Sequence, residues 1–148
     1  MEDSGNIIYD IRSFNRFYTN FFGFLNKYIL DTSYSVTEVR ILIEIDRIEK
    51  CTANNISKIV NFDPSYLSRI LKKFEKNALI KRTSSEKDKR VQYIELTEDG
   101  QNALKDINER ADKHVRGMLS SLSNEEIIKL QKSMNQIRTI LSESNAKY

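Results

Sequence analysis

The sequence predicts a mainly α fold that carries a small two- to three-stranded β element. Three observations lead there. One Pro and four Gly stand among 148 residues, fewer than the turns of an all-β fold consume. Apolar residues recur every three or four positions over most of the chain, the period of a helix face. The exception lies between residues 80 and 96, where the short runs Ile80–Ser84 and Val91–Leu96 flank the polar stretch Ser85–Arg90 as a hairpin would. The length is that of a single domain with a modest core. With 39% apolar and 30% charged residues the composition is globular.

The first helix is expected from about Ile7 to Leu30. Ile11, Phe14, Tyr18, Phe21, Phe22, Leu25 and Ile29 form one apolar stripe, while Phe17, Phe24 and Tyr28 add a second face. A surface helix over one core needs a single stripe. A helix apolar on two sides must be covered twice, by its own domain and by a partner subunit or a ligand. Ser35 and Glu38 have capping-box spacing and start a second helix that ends near Ile48, with Val39, Leu42, Ile43 and Ile45 inward. Thr52 caps a third helix through Ile59. Asp63 and Pro64 start a fourth, an N-cap acceptor followed by a proline at the first helical position, which carries Leu67, Ile70, Leu71 and Phe74 and closes near Asn77. After the hairpin, Thr97 caps a long helix with Leu104, Ile107, Ala111, Val115, Met118 and Leu122 inside. Ser123 and Glu126 make a second capping box for a last helix bearing Ile127, Leu130, Met134, Ile137 and Leu141.

Net charge is +3, but it is unevenly placed. Residues 52–96 hold ten Lys/Arg against five Asp/Glu, whereas residues 1–51 hold six against eight and residues 97–148 eight against eight. A basic block between neutral or acidic arms is the footprint of a nucleic-acid partner. Within that block Val60–Phe62 is the short turn of a helix-turn-helix. On the outer side of the fourth helix stand Ser65, Ser68, Arg69, Lys72 and Lys76, with Tyr66 and Lys73 at the margins and no acid from Ser65 to Lys73. Arg suits a guanine edge, Ser and Tyr reach bases or phosphates, and Lys neutralises the backbone. The hairpin tip places Lys87, Lys89 and Arg90 around Asp88. An Arg on such a tip can enter the minor groove, and an acid two residues earlier can orient its guanidinium.

At this point the chain resembles the MarR family of winged helix-turn-helix transcriptional regulators. The resemblance rests on FEKNALIKR after the recognition helix, Asp88-Lys89-Arg90 in the wing, LTEDG opening the next helix, and SYSVTEVRILIEI as the family's second helix. Two positions depart from the pattern. Ala78 stands where Gly is usual, with Asn77 expected to take the left-handed cap conformation instead, and Asn61 stands where Gly is common in the turn. The resemblance implies one MarR-type domain over residues 1–148, with dimerisation helices at about 1–33 and 101–148 and a winged helix-turn-helix at about 34–100. It also implies a homodimer on a pseudo-palindromic operator in double-stranded DNA, acting as a repressor relieved by a small-molecule ligand. Ser65, Tyr66, Ser68, Arg69, Lys72 and Lys73 would contact the major groove and its phosphates. Lys87, Asp88, Lys89 and Arg90 would form the wing tip, with Arg90 in the minor groove. For a small aromatic or anionic effector the expected wall residues are Tyr18, Phe21, Phe22 and Tyr34, although an aromatic stripe at helical spacing is more often packing than pocket.

Other classes fit less well. One His, one Cys, no nucleophile elbow and no glycine-rich phosphate loop argue against an enzyme, and no cofactor is expected. His114 and Cys51 are the only soft ligands, too few for a zinc site. Cys51 reads as a buried inert thiol, the alternative being a redox-sensing regulator that uses it. The other rival is a winged-helix protein–protein module without specific DNA binding. No apolar run approaches a membrane span and no signal peptide is evident, so the expected location is cytoplasmic.

Overall fold

In the computed structural model, residues 4–22 and 32–145 are described, and the chain divides into two compact units, Met1–Ala111 and Asp112–Tyr148. The first unit opens with α1 (Ser4–Phe22). Its Ile7, Ile11, Phe14, Tyr18 and Phe21 share one stripe, with Ile8 and Phe17 on the flanks, and all are exposed. Phe14 stacks on Tyr18 with ring centroids 5.9 Å apart, and Phe17 on Phe21 at 5.8 Å, the one-turn pairs that helix geometry allows. The remainder of the expected first helix, with Phe24, Leu25, Tyr28 and Ile29, lies outside the described residues.

Helices α2 (Val36–Arg47), α3 (Ala53–Val60) and α4 (Pro64–Lys76) follow, each started by its anticipated cap. Ser35 Oγ accepts from Glu38 N at 3.2 Å while Glu38 Oε2 accepts from Ser35 N at 2.8 Å. Thr52 exchanges the same pair of bonds with Asn55. Asp63 Oδ1 accepts from Ser65 N and Tyr66 N at 2.8 and 3.1 Å, ahead of Pro64 at the first helical position. The three helices bury their apolar sides together: Ile41, Leu42 and Ile45 from α2, Ile56 and Val60 from α3, Leu67, Ile70, Leu71 and Phe74 from α4. Burial of each such side chain contributes roughly 1.5–3 kcal/mol.

Strands β1 (Ile80–Ser84) and β2 (Gln92–Leu96) pair antiparallel, from Ile80 opposite Leu96 to Ser84 opposite Gln92. The sheet has two strands. At the position a third would take there is a single bond, Ile94 N donating to the Cys51 carbonyl at 2.7 Å, which ties the α2–α3 connection to the root of the hairpin. Ile94 and Leu96 close the core from this side.

The junction between α4 and the sheet differs from expectation. Ala78, not Asn77, is left-handed, at φ 56, while Asn77 stays at φ −89. Leu79 N donates to Phe74 O at 2.9 Å, a bond from the second residue past the cap to the third from the helix end. That geometry places the left-handed residue one beyond Asn77. Asn61 does adopt the left-handed conformation, at φ 50. Helix α5 (Glu98–Leu119) then starts against this junction. Thr97 N donates to Leu79 O at 3.0 Å, Thr97 Oγ1 donates to Ala78 O, and Gly100 N donates to Thr97 Oγ1 at 3.1 Å. A Cβ on Gly100 would stand 2.0 Å from the Leu79 carbonyl oxygen. The Leu-Thr-x-x-Gly pattern is therefore a cap followed by a close helix-to-backbone approach.

In the second unit, α6 (Asn124–Asn145) begins at the Ser123–Glu126 capping box. Ile127, Leu130 and Met134 are half-buried, and Ile128, Ile137, Ile140 and Leu141 are exposed. No helix among the described residues is long and apolar enough to cross a membrane.

Candidate nucleic-acid interface

The buried side of α4 fixes what its other side presents. With Leu67, Ile70, Leu71 and Phe74 in the core, Ser65, Ser68, Arg69, Lys72 and Lys76 are exposed. Asp63 sits at the N-terminal end of this face, its carboxyl held below the usual range by hydrogen bonds from the Tyr66 and Ser65 N–H groups. Its charge is thus directed to the helix N-terminus, where it is stabilising. Arg69 is not free to wander. Its guanidinium carbon lies 5.7 Å from the centroid of the Tyr66 ring, within range of a cation–π attraction. Tyr66 in turn meets Phe62 edge-on, centroids 5.8 Å apart and planes at 90°. Phe62 packs against the core. A chain of three contacts therefore runs from core to guanidinium, and Phe62 is a member that sequence reasoning left in the turn. Its one-turn spacing from Tyr66 was the available signal.

The hairpin tip is arranged as the acid–base spacing suggested. Asp88 Oδ1 accepts from Arg90 N at 3.0 Å and from Arg90 Nε at 3.1 Å, and Oδ2 accepts from the guanidinium at 3.3 Å. The Arg90 side chain, then its N–H, hold the Asp88 carboxyl below its ordinary value. The Arg90 side chain remains 91% exposed. Lys87 N donates to Ser85 Oγ at 3.3 Å, and Lys89 O accepts from Gln92 Nε2 at 3.4 Å. Below the tip, Lys81 pairs with Glu95 across the strands and Arg82 with Glu75 of α4, each at 3.2 Å.

Lys73 is the departure within the expected set. Its Nζ donates to Glu38 Oε1 of α2 at 2.6 Å. Glu38 is buried, which pushes its pKa up, yet the hydrogen bond from Lys73 and those from Ser35 outweigh burial and hold the carboxyl below its ordinary value. A small cavity of about 210 Å³ lies between α3, α4 and β1, lined by Asn54, Ser57, Leu67, Ser68, Leu71 and Arg82 among others. Of the expected effector-wall residues, Tyr18, Phe21 and Tyr34 do not line it. Tyr34 packs against the core, and Tyr18 and Phe21 are exposed on α1; the side chain of Phe22 lies outside the described set. Cys51 is fully buried, and burial, with the Glu44 carboxylate, pushes its thiol up to about 11. Among the described residues no group of three or more His, Cys, Asp or Glu could hold a metal ion.

A helix-turn-helix whose second helix turns a basic side outward, followed at once by a two-stranded hairpin with a basic tip, defines a winged helix-turn-helix protein. Residues 34–91 match the MarR family model. The transcriptional regulator SarZ of Staphylococcus aureus is 36% identical over 73 residues, 49% of either chain. Across four of the curated regulators that match, the aligned stretch covers 49–71% of their own lengths. A MarR family protein from Bacillus stearothermophilus superposes with a TM-score of 0.82 at 16% identity, over 94% of this chain and 98% of that one. FabT of Streptococcus pneumoniae, solved in complex with DNA, does so with a TM-score of 0.73 at 18% identity, over 93% and 98%. Residues 34–91 are thus similar to the MarR family, and the chain shares the fold of MarR family proteins. Its curated relatives are transcriptional regulators rather than enzymes.

Proposed function

We propose that the protein is a homodimeric, sequence-specific DNA-binding regulator, a repressor relieved by a small aromatic or anionic ligand. The observation that carries the DNA reading is the outward side of α4, exposed and free of acids from Ser65 to Lys72 and continued by the Arg90 tip. On this reading Ser65, Tyr66, Ser68, Arg69 and Lys72 enter the major groove or touch its phosphates. Lys87 and Lys89 meet the flanking backbone, and Asp88 orients Arg90 into the minor groove. The complex of FabT with DNA supports the reading by likeness of fold.

Dimerisation is supported by the exposed Ile7, Ile11, Phe14, Phe17 and Phe21 of α1 and, separately, by the exposed Ile137, Ile140 and Leu141 of α6, apolar helix faces of the kind that mark an interaction surface. Two recognition helices would read half-sites about one DNA turn, ~34–36 Å, apart. A ligand then releases DNA only by preferring a dimer whose heads are wrongly spaced. The test is selection of duplexes from a random-sequence pool, then gel shift against a scrambled duplex of equal length. Strong preference for a selected palindrome is expected, and equal, weak, salt-sensitive binding to both would refute it. Sedimentation at micromolar concentration is expected to show a dimer; a monomer would refute that part.

A further inference from the structure

The buried carboxylate of Glu38 does two things at once. One oxygen accepts from the backbone N–H of Ser35, completing the cap of α2, and the other accepts from Nζ of Lys73 on α4. Ser35 Oγ closes the same ring by accepting from Glu38 N. Three fixed points therefore converge on one group: the start of α2, its first turn, and the flank of the recognition helix. Glu38 and Lys73 lie thirty-five residues apart in sequence. Lys73 emerges on the flank of α4 that also bears Tyr66, beside the row of Ser65, Arg69 and Lys72, so anything that rolls α4 about its axis moves that row.

Reaching a phosphate would require Lys73 to leave Glu38. The Glu38 side chain, 10% exposed against 49% for Lys73, would then stay largely buried without its cation, which costs more than parting an exposed pair. One more phosphate neutralised is a weak return against that. We infer that Lys73 is a positioning residue: through Glu38 it sets the roll of the recognition helix on α2, and it governs sequence discrimination without touching DNA. The inference rests on α4 being the helix that reads DNA, as proposed above.

The experiment uses the whole protein, a duplex it selects from a random-sequence pool, and a scrambled duplex of equal length. Lys73→Met is expected to weaken binding to the selected duplex about tenfold, equivalent to about 1.4 kcal/mol, with scrambled-duplex binding nearly unchanged. The slope of log K against log salt for the selected duplex should be that of the wild type. Glu38→Gln should weaken selected binding to a similar degree even though it removes an acid and makes the protein more positive. The double variant should be no worse than either single one, and Lys73→Arg should restore most of the discrimination. Three results would overturn the inference: Lys73→Met weakening both duplexes alike and flattening the slope by about 0.9, Glu38→Gln tightening binding, or additive losses in the double variant. Urea unfolding of each variant identifies any that do not fold. Should Lys73→Met be one, Lys73→Arg against Glu38→Gln decides the matter, because the inference requires the first to discriminate and the second not to. A wild type with no preference for its selected duplex removes the DNA reading itself. A wild type that discriminates, beside a Lys73→Met that does so equally well, removes only the role of Lys73.

Discussion

The junction of Ala78, Leu79 and Gly100 allows a stability prediction of opposite sign at two neighbouring positions. In Gly100→Ala the new methyl would meet the Leu79 carbonyl oxygen at 2.0 Å, more than 1 Å inside ordinary contact. The obstacle is backbone, so α5 must withdraw. Withdrawal lengthens Thr97 N to Leu79 O, now 3.0 Å, and breaks the Thr97 hydroxyl bond to the Ala78 carbonyl. Two bonds at about 1 kcal/mol each and overpacking of about 1–3 kcal/mol give a loss of roughly 3–5 kcal/mol. In Ala78→Gly the change is favourable, since a left-handed residue with a Cβ carries a penalty of about 1–2 kcal/mol that glycine avoids. Part of that is returned through the greater freedom of glycine in the unfolded chain, leaving a gain of about 0.5–1 kcal/mol. Urea unfolding followed by circular dichroism measures both, read from midpoints at constant slope. A Gly100→Ala loss below 1 kcal/mol, or an Ala78→Gly variant less stable than the wild type, would refute the account of this junction.

Other expectations concern the reading face and the thiol. Arg69→Ala should cost specific DNA binding about 1–3 kcal/mol if its guanidinium reads a base; unchanged affinity for a selected duplex in gel shift would take it out of that role. Lys72→Ala should weaken selected and scrambled duplexes alike and flatten the salt slope by about 0.9, and a loss confined to the selected duplex would argue against a phosphate contact. Folding raises the thiol of Cys51 from 9.0 to about 11. The stability it contributes is therefore whole below pH 9 and is lost as pH rises towards 11, up to roughly 2–3 kcal/mol. Urea midpoints of Cys51→Ala should fall less steeply than those of the wild type over that interval, and parallel declines would contradict the buried thiol.

Local features of this fold were legible because local spacing decides them. Ser35 with Glu38, Asp63 with Pro64, and Thr97 before Gly100 each specify a helix start within four residues, and each starts one. The bidentate grip of Asp88 on Arg90 was visible for the same reason. What escaped notice was decided by contacts distant in sequence or by backbone bonding. Lys73 has the spacing of a surface cation, and only the folding of α2 against α4 brings Glu38 to it. Asn77 has the better intrinsic tolerance for a left-handed turn, yet the bond from Leu79 N to Phe74 O assigns that conformation to Ala78. The third strand was reduced to one bond at Ile94 because the Cys51 carbonyl, capping no helix of its own, was there to accept it.

Arg69 lies against Tyr66, and Arg90 is gripped at two nitrogens by Asp88. A long cationic side chain loses up to about 2 kcal/mol of rotamer freedom when it is immobilised. In these two arginines a part of that ordering precedes association, a modest part at Arg90, whose side chain stays 91% exposed. The short-range grips also lose less to added salt than long-range attraction does. A lysine in either place would keep the charge and forfeit the ordering. Arg69→Lys and Arg90→Lys should therefore keep the ionic-strength dependence of the wild type while dissociating faster, because the substitution keeps the charge and removes the ordering together with the planar guanidinium fork.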